Sequence, residues 1–313
     1  MNSATSSRER WRECRRGAGC ACDVAPGGAT REEVVERLVA ASVLWPLVDY
    51  GPSCRSCAAP RRRPLDRLPA ECRDCRELAG RYEGALADLH PVTYTTPDGA
   101  LCAAVRDLKD GLGARSDTRL ACDIGAILSA YLEAQLQGGL LGRPRFDIVT
   151  AAPSSRPVVA AALRRAGEEG WWSCELAAVA KARPGHRRQR ERPYRLRPCV
   201  VDKWQVDGAA VRGQGVLVLD DIYTTGGSIH RLAYALRRAG AASVRAVVLA
   251  RNLWADDAGW LHALLRDRRD AGGRWSASTS KYDVIGRDAR GSDSQATGDA
   301  RLSGCVGGGR GRA

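Results

Sequence analysis

No stretch of this 313-residue chain is apolar for long enough to span a bilayer. Its opening, MNSATSSRER, has no apolar core of the kind a secretory leader needs. Both absences argue for a protein that works in the cytoplasm. No internal repeat is evident, which leaves out solenoids and propellers. Acidic residues are in deficit: 49 Lys and Arg stand against 36 Asp and Glu, a formal net charge of +13. That balance predicts attraction to polyanions such as nucleic acid or phosphorylated ligands, and it is silent on fold. Cysteine is not scarce. Twelve of them would imply disulfides in a secreted chain, but in a reducing compartment they read as metal ligands or buried thiols.

The most informative stretch is GVLVLDDIYTTGGS, Gly215 to Ser228. Val216 to Leu219 is a short continuous apolar run, the pattern of a strand buried on both faces of a parallel sheet. Beyond the loop, Ile229, Leu232, Ala233, Leu236 and Ala239 recur at helical spacing, and Gly240 stands where a helix ends. SVRAVVLAR, Ser243 to Arg251, reads as the next strand. In such sheets ligands bind beyond the carboxyl ends of the strands, where Asp220 and Asp221 fall. Thr224, Thr225, Gly226, Gly227 and Ser228 precede a helix N-terminus, whose N–H groups and dipole favour a phosphate, and the glycines allow close backbone approach. Two carboxylates would repel that phosphate, so they face another part of the ligand; vicinal hydroxyls, as on a ribose, suit them. A sugar phosphate satisfies both halves. A solvated turn with a serine cap is the plainer reading of the same residues.

Two further regions are punctuated in the same way. FDIVTAAPSSRP gives a strand over Phe146 to Thr150, then a loop and a helix carrying Val158, Val159, Ala162 and Leu163. Thr30 with Glu33 forms a capping box ahead of Val34, Val35, Leu38 and Val39, and Pro46 is a natural stop for that helix. Leu101, Val105 and Leu108 share one helical face. Asp117 is placed to cap a further helix with Leu120, Ile124, Ile127, Leu128, Tyr131 and Leu132.

Cys54 and Cys57 form one C-x2-C pair and Cys72 and Cys75 another, with fourteen residues between them. Two such pairs suit tetrahedral zinc, with no further residue to suggest an open catalytic position. Two unrelated thiol pairs, or an iron–sulfur cluster, fit the same spacing. Cys14, Cys20 and Cys22 are clustered but irregular, and Cys102, Cys122, Cys174 and Cys199 read as core thiols.

Lys181 to Arg197 holds eight Lys or Arg and one Glu, or +7. Arg187, Arg188, Gln189, Arg190 and Arg192 lie at its centre. A solvated insertion is one reading. Another is a nucleic-acid contact, with Tyr194 and Trp204 stacking on bases while arginines track phosphates.

VLVLDDIYTTGGS resembles the 5-phosphoribosyl 1-pyrophosphate (PRPP) motif of type I phosphoribosyltransferases. Over roughly Leu44 to Asn252 the chain resembles the ComF competence-protein family, which joins a four-cysteine zinc module to a phosphoribosyltransferase-like domain. The resemblance implies an α/β fold, a parallel sheet flanked by helices, with a small N-terminal zinc ribbon. It implies the zinc module over 51–80 and the phosphoribosyltransferase-like domain over 90–255, while composition gives a disordered basic arm over 1–29 and a short helix and disordered tail over 256–313, and the capping box a helix over 30–50. By the same resemblance Asp220 and Asp221 hold the ribose hydroxyls, Thr224 to Ser228 the 5-phosphate, and Ala152, Pro153, Ser154, Ser155 and Arg156 the pyrophosphate. The basic segment, with Gln189 and Arg192, becomes a lid. LKDG, which includes Lys109, sits where the family carries a lysine-containing segment. Magnesium accompanies PRPP and zinc is structural. The Arg-Gly-Phe-Asn-Gln-like run that the family carries after the pyrophosphate loop is absent, and no residue announces an acceptor. The expected activity is phosphoribosyl transfer with release of pyrophosphate; the alternative is a non-catalytic PRPP sensor or single-stranded-DNA-handling protein of DNA uptake.

Overall fold

The computed structural model describes residues 29–41, 43–45, 53–59, 70–110, 116–138, 146–154, 157–182, 204–253 and 275–279. Its centre is a four-stranded, wholly parallel sheet of β1 (Asp88–Thr95), β2 (Ile148–Ala151), β5 (Gly215–Tyr223) and β6 (Ser243–Asn252), in the order β1-β6-β5-β2. Side chains alternate across a strand, and β5 shows what that does. Leu217 and Leu219 enter one apolar cluster and Val216 and Val218 the other, all at most 1% exposed. Both faces are therefore covered, as an all-parallel sheet requires.

The first face is covered by α1 (Arg31–Ala40), α3 (Ala100–Asp110), α4 (Ser116–Gln137) and α5 (Val158–Glu168). Thr30 and Glu33 close the capping box at the start of α1, which ends at Ala40, short of Pro46. Arg37 reaches Asp123 on α4 at 2.5 Å. α4 begins at Ser116, so Asp117 lies inside the helix rather than at its cap. A Cβ on Gly125 of α4 would stand 2.4 Å from the Ala162 carbonyl of α5, so the two helices meet where no side chain fits. Trp275 is buried on the same face and donates from Nε1 to the Val92 carbonyl, while Gln135 Nε2 donates to Ala277. Trp275, in the segment expected to be a disordered tail, is an apolar anchor on this face.

On the second face lie α7 (Gly227–Arg238), α2 (Arg73–Arg81) and the four cysteines. Gly240, at φ +104, ends α7 as the sequence suggests. The remaining strands, β3 (Ala180–Ala182) and β4 (Trp204–Val206), form an antiparallel ribbon, and α6 (Gly208–Val211) follows them. Lys181 lies on this ribbon, opposite Gln205; the rest of the basic segment, with Arg187, Arg188, Gln189, Arg190, Arg192 and Tyr194, lies outside the described residues. So do the arm over 1–28, with Cys14, Cys20 and Cys22, and also Cys199. Among the described residues no helix is long and apolar enough to cross a membrane.

Candidate functional site

α5, which follows β2, packs on the first face, and α7, which follows the adjacent β5, packs on the second. Where neighbouring parallel strands send their helices to opposite faces, a crevice opens at their carboxyl ends. Both loops singled out in the sequence end up there. Ala152 donates its backbone N–H to the Leu219 carbonyl at 2.7 Å, which sets the loop after β2 beside the end of β5. Pro153 and Ser154 continue it, while Ser155 and Arg156 lie outside the described residues.

β5 runs further than its apolar run. Its pairing with β6 continues to Tyr223 opposite Arg251, so Asp220 and Asp221 sit within the strand's last turns of pleat rather than beyond it. Both are partly exposed. Asp220 Oδ1 accepts the Asp221 N–H at 2.9 Å, and Asp221 Oδ1 accepts the Ile222 N–H at 2.6 Å, which fixes each carboxylate against its own backbone. Lys109, near the end of α3, meets Asp221 Oδ2 at 2.5 Å. α3 starts at the carboxyl end of β1 and finishes over the carboxyl end of β5, and so it brings a cation to the acid pair.

Thr224, Thr225 and Gly226 form the bend, and Gly227 and Ser228 open α7. Gly226 is the N-cap at φ +78 and offers no side-chain cap. A helix leaves its first N–H groups without intrahelical partners, so the start of α7 presents donors to the crevice. A Cβ on Gly226 would lie 2.2 Å from the Tyr223 hydroxyl, so only glycine lets this turn close over that ring.

Behind the bend lies the cysteine cluster. The sulfurs of Cys54, Cys57, Cys72 and Cys75 all lie within 4.8 Å of one another, and Cys57 and Cys72 are 3.9 Å apart. A tetrahedron with Zn–S bonds of about 2.3 Å has edges of roughly 3.8 Å, so the spacing fits zinc. The Cys72 N–H points to the Cys54 sulfur at 3.2 Å and the Cys75 N–H to the Cys72 sulfur at 3.5 Å, contacts that orient thiolates. Cys72 is the N-cap of α2, so the second pair is built on a helix start. Hydrogen bonds from Cys54, Cys72 and Cys75 hold the Cys57 thiol well below its ordinary range, while Cys54 and its other neighbours push Cys75 far above it. Four sulfurs this close share their charge until a cation takes it.

Tyr223 and Arg251 stand between the cluster and the bend. The Tyr223 hydroxyl is 3.8 Å from the Cys75 sulfur. Burial, and then the Cys57 and Cys75 sulfurs, push its pKa up, so it stays neutral. Arg251 lies over the Tyr223 ring, 4.9 Å from its centroid. Burial works against its charge, but the Cys57 sulfur holds its pKa above the ordinary value. Neither residue stands out from sequence patterning, although an arginine ending the apolar run AVVLA signals a buried partner.

Other expectations need correction. Trp204 is 5% exposed and packs with Val179 and Val211 on the second face, so it is a core residue and not a stacking platform. Cys174 is exposed and Cys122 half-buried, so only Cys102 of the described trio is a core thiol.

A family model described as the phosphoribosyl transferase domain matches residues 148–261. The chain carries a phosphoribosyltransferase-type domain. Its β2 and β5 loops both fall within the match. Among solved structures it is similar to one titled "Structure of the allosteric regulatory enzyme of purine biosynthesis", at 23% identity and a TM-score of 0.25. That match covers 39% of this chain and 26% of the other. No curated protein matches the sequence.

Proposed function

We propose that this protein binds PRPP with magnesium in the crevice between the β2 and β5 loops and transfers its phosphoribosyl group, with release of pyrophosphate, to an acceptor that the site does not specify. The observation that carries the reading is the meeting of two ligand loops and an acid pair at the point where the sheet's helices change faces. Thr224 to Ser228 hold the 5-phosphate through the start of α7. Asp220 and Asp221 accept the ribose hydroxyls, already oriented by their own backbone bonds. Lys109 holds the Asp221 carboxylate in place through their ion pair. Ala152 to Arg156, with the arginines of the basic segment, receive the pyrophosphate as negative charge develops on it. Magnesium, where bound with PRPP, would supply compensation for the pyrophosphate charge. Zinc on Cys54, Cys57, Cys72 and Cys75 is structural. In this reading the protein is of the ComF kind and acts in the cytoplasm.

Isothermal calorimetry with PRPP and magnesium tests this directly. Binding is expected in the wild type. Replacing Asp220 and Asp221 together by Asn is expected to abolish it, since each charge-assisted bond contributes roughly 1.5–3 kcal/mol. Unchanged affinity in the double variant removes the ribose assignment. The concentration of positive charge in Lys181 to Arg197 favours a second reading, a non-catalytic PRPP sensor that handles single-stranded DNA. PRPP binding without turnover across a panel of bases and amines, joined to single-stranded DNA binding, selects it.

A further inference from the structure

Arg251 is a buried charge, 6% exposed, at the end of a central strand. Its Nη1 donates to three carbonyls: Tyr223 at 3.1 Å, Thr224 at 2.5 Å and Asn252 at 2.7 Å. Two of these belong to the chain entering the phosphate bend. The guanidinium also lies over the Tyr223 ring. Tyr223 makes the connection to the cysteines, with its hydroxyl 3.8 Å from the Cys75 sulfur and its ring filling the space that a Gly226 side chain would take. The stacked pair thus reaches the cysteine cluster through Tyr223 and, through Arg251, the turn that presents the α7 N–H groups.

We infer that Arg251 is a positioning residue for the phosphate bend and, with Tyr223, couples it to the cysteine centre, so that metal on the four cysteines and PRPP in the crevice each raise the affinity for the other. This rests on the proposed PRPP reading. Metal on Cys75 fixes the sulfur beside the Tyr223 hydroxyl, and the Tyr223 ring is the surface on which the Arg251 guanidinium lies. A shift of that ring as the sulfur gains or loses its metal cannot leave the contact of Arg251 with the Thr224 carbonyl unchanged. Thermodynamic linkage makes the effect reciprocal, and such couplings commonly amount to about 5–150-fold in affinity.

The test uses the full zinc-loaded chain under native conditions. Zinc transfer to a chromophoric chelator is timed with and without saturating PRPP and magnesium, and PRPP affinity is measured separately. In the wild type, PRPP is expected to slow zinc loss about five-fold or more. In Arg251→Lys, which keeps the charge and loses the forked contacts, that ratio is expected to collapse toward one and PRPP affinity to fall about ten-fold, with zinc still at one per chain. Should Arg251→Lys not fold, Tyr223→Phe decides, with the ratio at least halved while PRPP still binds. Stabilisation of the fold by any bound ligand would slow zinc loss equally in all variants that bind PRPP; an undiminished ratio in a folded variant therefore overturns the coupling. So does a wild type that binds PRPP with no change in zinc loss. A wild type that does not bind PRPP at all removes both the coupling and the reading beneath it.

Discussion

At the scale of single residues, Gly226 carries more constraint than either carboxylate. Its backbone sits at φ +78, and any Cβ would run into the Tyr223 ring at 2.2–2.8 Å. Gly226→Ala must therefore strain the turn and displace the ring together. We expect it to destabilise the protein by about 1–3 kcal/mol and to weaken PRPP binding more than Ser228→Ala does, as read from urea unfolding and calorimetry. Equal PRPP affinity in the two variants would show that the bend tolerates another path. The acid pair and the bend were legible in the sequence because strand, loop and helix are contiguous there, and the period of the apolar residues changes across a run of glycines. Lys109 and Arg251 were not legible in that way. Each acts across more than a hundred residues or across a strand pair, and no local pattern records the partner.

Among the elements, α7 and the α4–α5 pair carry the next two predictions. His230, in the first turn of α7, is buried, and burial lowers its pKa from the ordinary 6.5 to about 4. The folded state thus disfavours the charged imidazole. Its contribution to stability is complete above about pH 6.5 and is lost as the pH falls through 4, on the order of 3 kcal/mol in all. Stability curves at pH 7 and pH 4.5 should differ less for His230→Gln than for the wild type. The second prediction is steric. Gly125→Ala places a methyl group 2.4 Å from a backbone carbonyl, so α4 and α5 must move apart, at a cost of about 1–3 kcal/mol in chemical denaturation. Elements were unevenly legible. β1 is hard to read from DLHPVTYT, because Pro91 argues against a central strand. It is in fact one of the two edge strands, beside β6, where Trp45 adds only an isolated bridge at Tyr94. The β3–β4 ribbon was missed because each of its strands has three residues, too few to show a period.

For the molecule as a whole, the cysteine centre is not an appendage. Cys54, Cys57 and Cys75 are buried in the same apolar cluster as Val216, Val218, Leu232, Leu236 and Val248. Structural zinc in small peptides contributes on the order of 10–16 kcal/mol, comparable with the entire stability of a domain. Chelation is therefore expected to lower the unfolding temperature of the whole sheet in a single transition. A separate early transition, with the sheet's own unaltered, would mean that the cysteines form an independent unit. The spacing of the cysteines is that of a metal site, but it does not record that a sulfur would lie against Tyr223, behind the bend at Thr224 to Gly226.

The strand order has one more consequence, in the time a ribosome takes to make the chain. β1 pairs with β6 alone in the sheet, Asp88 opposite Arg245 and Thr95 opposite Asn252. Among the described strands, the first of this sheet thus waits for the last, and β6 must slot between two strands that have already emerged. Until then the apolar flanks of β1 and β5 have no neighbour on that side, and closing so long a loop is slow. Until β6 is made, β1 stands as a lone strand apart from the β2–β5 pair, and the window of vulnerability to misassembly closes only when β6 clears the exit tunnel.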